Sequence, residues 1–578
     1  MNTTRNKREA YKMGYQGNKD AIKERGFVTY LDFGAVGDGV TEDFKAIYEA
    51  HEYANENNLP VITNDDKTYY IHDTEIDGEA KTVRIRTDVT WGTSKFIIDD
   101  TDIEYNEGLK RGYKNLFKVI SDYEEITITD PEILEKFKGV GEGTKKFELA
   151  LGYPALIVVY NEDHRVYHRA GASYVARGGQ SSPQHEVFLI DGEGNIDEST
   201  PFMFNYDHVT KILVIRTDVK PLTIKGGIFT TKAPVFKVLE GEEARVRGSY
   251  IRNISVNRSY TTVEGVEHYV EGVVSIEDYK ANKYHGVHYC GFYTASYAND
   301  VLFKNCILTG RFSYHHSTYE FQANHINKIR LVGCIQSNFE IDDPNGNKVY
   351  SMVISPVTHS VTYWGIGGTN FCKNMEYIDS KLSRFDAHQG LYNGKIVNSS
   401  VNFMEIIGKG ELIFDRLNWC SASNEGPYNN MAYLRGDYGS TWDGTIIYKD
   451  CTLNFSPGNA NVFYHSYTNW NFGYECHFPN LIIDNPKING ITEGSKIRLL
   501  TYDKSLGREP NMHLPTTVNV PVKGYDGVED ATNMNNNNMI VPPKFLKVIN
   551  NTSGQNFYIP KSTFFDNTEV VGFIEEEM

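Results

Sequence analysis

The sequence predicts an all-β chain wound as a right-handed, single-stranded parallel β-helix, and three observations carry that expectation. Six short segments between Val301 and Cys451 share a pattern of alternating apolar residues ending on Cys, Ser or Leu, often with Asn, Asp or Gly just before. They are Val301–Cys306, Ile329–Cys334, Met375–Ser380, Lys395–Ser400, Leu412–Leu417 and Ile446–Cys451. Each has the length and period-two alternation of one strand. Most steps between them fall near the about 20–30 residues of one solenoid coil. One such strand cannot bury its inward face, whereas a stack of them builds a continuous core and a polar outer wall. Cys306, Cys334 and Cys451 occupy equivalent positions, so they are expected to stack inward as small buried thiols.

The elements follow in order. Residues 1–26 are polar and helix-prone, with too little apolar surface to fold alone, and read as an attachment segment. Residues 27–100 begin with the strand Phe27–Phe33 and the glycine turn Gly34–Val40. A helix follows, with Thr41 as N-cap, Glu42 and Asp43 in its first turn, and Phe44, Ile47, Tyr48 and His51 on one face. It must stop before Pro60, and its place ahead of the coils makes it a plug for their open end. Residues 101–225 break the coil rhythm and read as an inserted β-rich module. In it Asp130–Phe137 looks helical, Ala155–Tyr160 and Glu186–Ile190 look like strands, and Asp191–Asn195 is a hairpin turn. Residues 226–490 form the coils. Residues 491–578 read as a separate strand-rich element with strands at Thr516–Val522 and Phe545–Ile549, parted by an asparagine-rich loop around Met534 to Met539.

Composition narrows the function. The 578 residues carry a formal net charge of -17, which opposes nucleic acid or an anionic membrane as main partner. Hydrophobic content of 40% and a mean hydropathy of -0.45 indicate a folded, water-facing chain. The seven cysteines contain no CxxC pair, so neither a zinc site nor a disulfide framework is expected. Met1–Ala10 lacks the apolar stretch of a secretory signal, and no window has the length and apolarity of a membrane span. The chain is therefore expected to be made in a cytosol and to stay there, or to leave it by lysis or inside a particle.

Two stretches carry a family resemblance. Tyr30–Thr41, with its Asp-Phe-Gly-Ala-Val-Gly-Asp-Gly run, resembles the opening of the pectate-lyase-like superfamily, which includes polygalacturonase-like hydrolases and phage tail spikes. Trp364–Asn374 followed by Ser383–Gly390 is similar to β-helix proteins of phages and prophages of Gram-positive bacteria. Those resemble preneck-appendage or tail-spike depolymerases, homotrimers that degrade wall teichoic acid or surface glycan. Together the matches cover most of residues 27–460. The resemblance implies a virion tail location, a homotrimer, contact with other tail proteins through the N-terminal segment, and a bacterial surface polymer as partner.

One constellation stands out as chemistry. Arg384, Asp386 and His388 fall at i, i+2 and i+4, so an extended segment projects all three from one face and Phe385 and Ala387 from the other. With the apolar pair inward, the polar three are expected on an open outer groove. There the arginine can hold a phosphate or carboxylate, His388 can move a proton, and Asp386 can orient it. This suits phosphodiester cleavage; the competing reading is a local ion pair on a solvated face. His359, Tyr363 and Trp364, about one coil earlier, are expected to bind substrate, together with Asp342 and Asp343. Acidic candidates from adjacent coils are Glu320, Glu340, Asp342, Asp343 and Glu405, of which Glu320 and Glu405 are expected to join the catalytic residues. Asp342 and Asp343 suit the two carboxylates of a glycosidase, but Pro344–Asn347 favours a turn there. The Asn-Thr-Asp and Arg-Ile-Lys runs of polygalacturonase-like hydrolases are missing. Trp419, Trp442 and Trp470 join Trp364 as sugar-stacking candidates, with burial as their competing fate. No cofactor is expected. A calcium or magnesium ion on the carboxylates is the alternative, without supporting ligand spacing. His285, His288, His315 and His316 are paired histidines without a metal-ligand partner at characteristic spacing. The sequence leaves glycan hydrolysis or elimination, and a spike that binds without turnover, as the other functional readings.

Overall fold

The chain folds as the right-handed parallel β-helix that its repeats predict. The computed structural model describes residues 19–63, 66–99, 115–167, 181–232, 236–237, 252–271, 284–285, 292–308, 321–336, 340–342, 348–350, 353–354, 361–362, 369–382, 384–401, 403–421, 429–434, 442–465, 476–500 and 540–577. It divides into two compact units, one of Met1–Asp122, Asp218–Thr294 and Val301–Glu320, the other of Tyr123–Thr217, Ala295–Asp300 and Phe321–Met578.

In the first unit, parallel pairing joins Val89–Asp99 to Leu222–Lys232, and that strand to Thr261–Glu264. Its core is aromatic: Phe96 stacks on Phe229 with centroids 4.4 Å apart, and Trp91 packs edge-on against Phe229 at 5.1 Å. The capping helix runs Phe44–Asn57 and buries Phe44, Ile47, Ala50, His51 and Ala54, while Tyr48 is only partly covered. The N-cap is Asp43 rather than Thr41, because Thr41 and Glu42 still belong to the strand Asp38–Glu42. The Asp43 carboxylate serves the preceding turn instead, accepting from the Val36 and Gly37 amides at 2.7 and 3.2 Å. Of the N-terminal segment, residues 1–18 lie outside the described residues.

The second unit shows why the repeat has its shape. Strand register aligns Leu331, Tyr377, Ile396, Phe414, Tyr448 and Ile483 in one column, each with no exposed surface. The residue near the end of each repeat turns the chain. Gly333, Asp379, Asn398, Arg416 and Asp450 all have φ between 47° and 63°, as does Asn305 of the first unit. Asn, Asp and Gly tolerate that left-handed region best, which is why the pattern favours them there. Once turned, their side chains bond between coils: Asn398 donates to Asp379 and Asn485 to Asp450, each at 2.7 Å. Asn489, Asn454 and Asn418 add a further amide ladder at 2.8 and 2.9 Å. Cys306, Cys334 and Cys451 are buried free thiols, as expected.

Two differences concern the flanking regions. Phe545–Ile549 stacks in parallel on Asn480–Asp484, pairing Leu481 with Leu546, and Glu569–Val571 stacks on it in turn. The described C-terminal strands therefore continue the coils instead of forming an element apart, because their alternating residues fit the same inward column. Thr516–Val522 lies outside the described residues. The inserted module is a four-stranded antiparallel sheet, ordered Ser182–Ile190, Ala155–Val166, Lys211–Arg216 and Ile126–Ile128. The run Ala155-Leu-Ile-Val-Val159 is continuously apolar because both sheet faces are covered. Ile157 and Val159 meet Phe137, Phe147, Phe188 and Phe202, while Leu156 and Val158 meet Val187, Leu213 and Tyr297.

Candidate active-site cleft

The strand Arg384–Val397 carries the sequence-predicted constellation, and it corrects that expectation. Arg384 and Asp386 do share one face, opposite Phe385 and Ala387, and Asp386 pairs in register with Glu405 on the next strand. That face is not an open groove: Arg384 is 0% exposed, Asp386 1% and Glu405 3%. The Arg384 guanidinium lies 2.8 Å from Asp386 and also contacts Glu405. The three charged groups are buried against one another, so the open outer groove expected for them is not found at Arg384, Asp386 and Glu405. Period-two alternation assigns a face correctly and says nothing of whether that face is covered.

The remaining candidates divide in two. Trp419 and Trp442 are fully buried and belong to the core, where an indole contributes its large apolar area; neither can stack on a sugar. Glu320, Asp343, His359, Tyr363, Trp364 and Trp470 lie outside the described residues, as do His288, His315 and His316. Glu340 and Asp342 sit in a short strand paired with Lys348–Tyr350, and His388 lies within Arg384–Val397 and His285 within Tyr284–His285. The side chains of those four are outside the described part.

The second unit instead contains a cleft of about 290 Å3, lined on one side by coil residues and on the other by the module. On the coil side, Lys409 and Asp443 are register neighbours on adjacent strands, Phe403–Asp415 and Trp442–Lys449. Each is flanked by glycine, and Gly410 pairs with Gly444. A side-chain carbon at 444 would fall on the Gly410 carbonyl oxygen, so only glycine allows the strands to approach there. His477 extends the row, its Nδ1 3.4 Å from Asp443.

The module supplies the opposite wall. Glu142 sits on a turn fixed by two bonds: its amide donates to Asn205 Oδ1 at 2.9 Å, and the Gly141 amide donates to Thr144 at 3.0 Å. Its carboxylate contacts the Lys409 ammonium, and Asp443 contacts the same ammonium at 3.1 Å. Val166, Tyr167, Met203 and Phe204 make the apolar part of the lining, with His164 and Gln184 beside them. Tyr167 packs on the backbone of Gly390, where a larger residue would strike its hydroxyl.

Electrostatics fix these parts. Glu186 accepts from the Met203 and Phe204 amides at 2.7 and 3.0 Å and binds Lys373 Nζ at 2.8 Å, tying the module to the coils through one buried carboxylate. Burial pushes the Lys373 ammonium below its usual range, against the pull of Glu186. At Lys409 partial burial likewise disfavours the charge, but Glu142 and Asp443 outweigh it and raise its pKa. Glu142, Lys409 and Asp443 remain accessible, their side chains 49%, 27% and 39% exposed. An open cleft with two carboxylates, one ammonium, two imidazoles and an aromatic wall can bind a sugar chain and move protons within it. Among the described residues no group of three His, Cys, Asp or Glu side chains is placed to hold a metal ion.

Comparison with known proteins gives structural likenesses alone. No family model matches the chain, and no curated protein matches it. Among solved structures it is similar to the tailspike protein gp49 of Pseudomonas phage LKA1, with 10% identity, 94% of this chain and 84% of that one covered, and a TM-score of 0.42. It is also similar to the tailspike gp61 of Pseudomonas phage phi297, with 10% identity, 95% and 80% coverage and a TM-score of 0.36. A Family 28 exopolygalacturonase of Yersinia enterocolitica shares 10% identity, with 92% and 70% coverage and a TM-score of 0.21.

Proposed function

We propose that the chain is a virion-borne depolymerase of a bacterial surface glycan, and that Glu142 and Asp443 cleave the glycosidic bond. The observation that carries this is the meeting of two accessible carboxylates, from distant parts of the sequence, at the Lys409 ammonium. Both touch one nitrogen, and we assign them the retaining arrangement, in which roughly 5–5.5 Å separates the pair, rather than the inverting one. Glu142, an anion at rest beside Lys409, takes up a proton as the sugar displaces it from that ammonium; it then gives the proton to the leaving glycosidic oxygen as the C–O bond breaks, and Asp443 attacks the anomeric carbon. Water, deprotonated by Glu142, releases the sugar from Asp443 with its configuration retained. Lys409 positions the two carboxylates, and the partly exposed Phe204 offers apolar surface to sugar rings. The step needs side chains alone.

Cleavage of wall teichoic acid through Arg384, Asp386 and His388 is the less favoured reading, because its anion-holding guanidinium is buried between two carboxylates. The virion tail, the homotrimer and attachment through residues 1–26 belong to the proposal on the strength of the sequence resemblance alone.

Incubating the protein with purified surface glycans and wall teichoic acid and sizing the products tests the reading. Glu142→Gln and Asp443→Asn should each slow shortening by about 10²–10⁴ with unfolding temperature unchanged. Full activity in either variant removes the cleft from the chemistry. Cell binding by wild-type protein without any shortening would make it a receptor-binding spike.

A further inference from the structure

The cleft also bears on the charge of the sugar, an inference that rests on the cleavage reading above. Lys409 is the one Lys or Arg among the described residues of the lining. Its ammonium is engaged by both Glu142 and Asp443, and those carboxylates hold it in the charged form. Two anions thus face one cation that is already shared between them. An incoming carboxylate or phosphate would have to displace one of them or add a third negative charge in a partly desolvated space. Either arrangement is opposed by like-charge repulsion, which strengthens as water is excluded. The long-range field acts in the same direction, because the whole chain carries a net charge of -17. The rest of the lining suits a ligand without charge: Val166, Tyr167, Met203 and Phe204 are apolar or aromatic, and Gln184 is neutral, its amide donating to the Asn205 carbonyl at 3.1 Å.

We propose that the cleft selects a glycan of uncharged sugars, neutral hexoses or N-acylated amino sugars, and rejects uronic-acid and phosphodiester polymers. Glu142 and Asp443 thereby serve as the specificity filter as well as the reacting pair.

The test uses the full chain at about pH 8, where an ordinary imidazole carries little charge. Four classes of purified bacterial polymer are offered: neutral glycans, N-acetylated amino-sugar glycans, polyuronates and poly(glycerol phosphate). Shortening is followed by size-exclusion chromatography at about 50 and about 300 mM salt, conditions that differ in screening length. The expected result is shortening confined to the uncharged classes, with rates that differ less than about twofold between the two salts. An anionic polymer that is shortened, and faster at low salt, overturns the inference while leaving cleavage by the cleft intact. If no class is shortened, the cleavage reading falls and the charge filter with it.

Discussion

Two charge clusters in the second unit share a composition and differ in everything else. Arg384 lies with Asp386 and Glu405, and Lys409 lies with Glu142 and Asp443: in each case one cation serves two carboxylates. The two cations stand on neighbouring strands, Arg384 on Arg384–Val397 and Lys409 on Phe403–Asp415. The first cluster is local, made by an i, i+2 pair and its register neighbour, and it is buried. The second is assembled from the module and two coils and remains open to water. The comparison teaches that residue types locate charge, whereas coverage decides its use. A buried triad spends its electrostatics on its own desolvation, and an open one can exchange its partners for a ligand.

The sharpest way to break the comparison is to remove one cation. Arg384→Ala leaves two buried carboxylates facing each other and should destabilise the protein by about 3–5 kcal/mol, read as a fall in denaturation midpoint. Lys409→Ala should move that midpoint by less than about 1 kcal/mol, since water already reaches both of its carboxylates. Equal losses in the two variants would erase the distinction.

A smaller effect should come from acid. The module meets the coils through His185, stacked at 4.9 Å on His325, which stacks in turn on Tyr297 at 4.7 Å. Burial lowers the His185 pKa to about 4, helped by Lys211 and Arg165 and opposed by the Pro183 carbonyl. Burial also places His325 well below its usual range, and His185 adds to the effect. Both imidazoles are thus neutral when packed and would accept a proton near pH 6.5 when exposed. Their contribution is complete above about pH 6.5 and is lost as the pH falls toward the folded values. Unfolding temperature should therefore drop between about pH 6.5 and about pH 4, and His325→Phe, which keeps the stack, should drop less. An identical pH slope in that variant would show that other groups dominate.

How much of this was legible follows from the same contrast. The coils were readable because each strand's alternation, its turn residue and its inward Cys or Leu are local and repeat, as at Ile446–Cys451. The asparagine ladder was less visible, since Asn454 gains meaning only when stacked between Asn418 and Asn489. The C-terminal strands were misplaced because the asparagine-rich stretch before them hid the rhythm that Phe545–Ile549 resumes. For the site, the sequence gathered charged residues that were close along the chain and so reached the buried cluster. The cleft needs Glu142, which lies more than half the chain's length before Asp443 in the sequence, and no local pattern links them. One trace was present: Gly-Lys-Gly at 408–410 and Trp-Asp-Gly at 442–444 are one coil apart, and glycines beside a charge mark close strand approach.

The most direct measurement compares turnover in two variants that leave a folded chain. In one, Arg384→Met, Asp386→Leu and Glu405→Leu replace the buried triad together by apolar side chains, a change that is often neutral or stabilising because no charge is left stranded. In the other, Glu142→Gln and Asp443→Asn remove the cleft's two carboxylate charges. The triad variant should shorten the polymer at a rate within about threefold of wild type, and the cleft variant should fall by at least about a hundredfold. A folded triad variant without activity, beside an active cleft variant, would return the chemistry to Arg384, Asp386 and Glu405 and contradict the account.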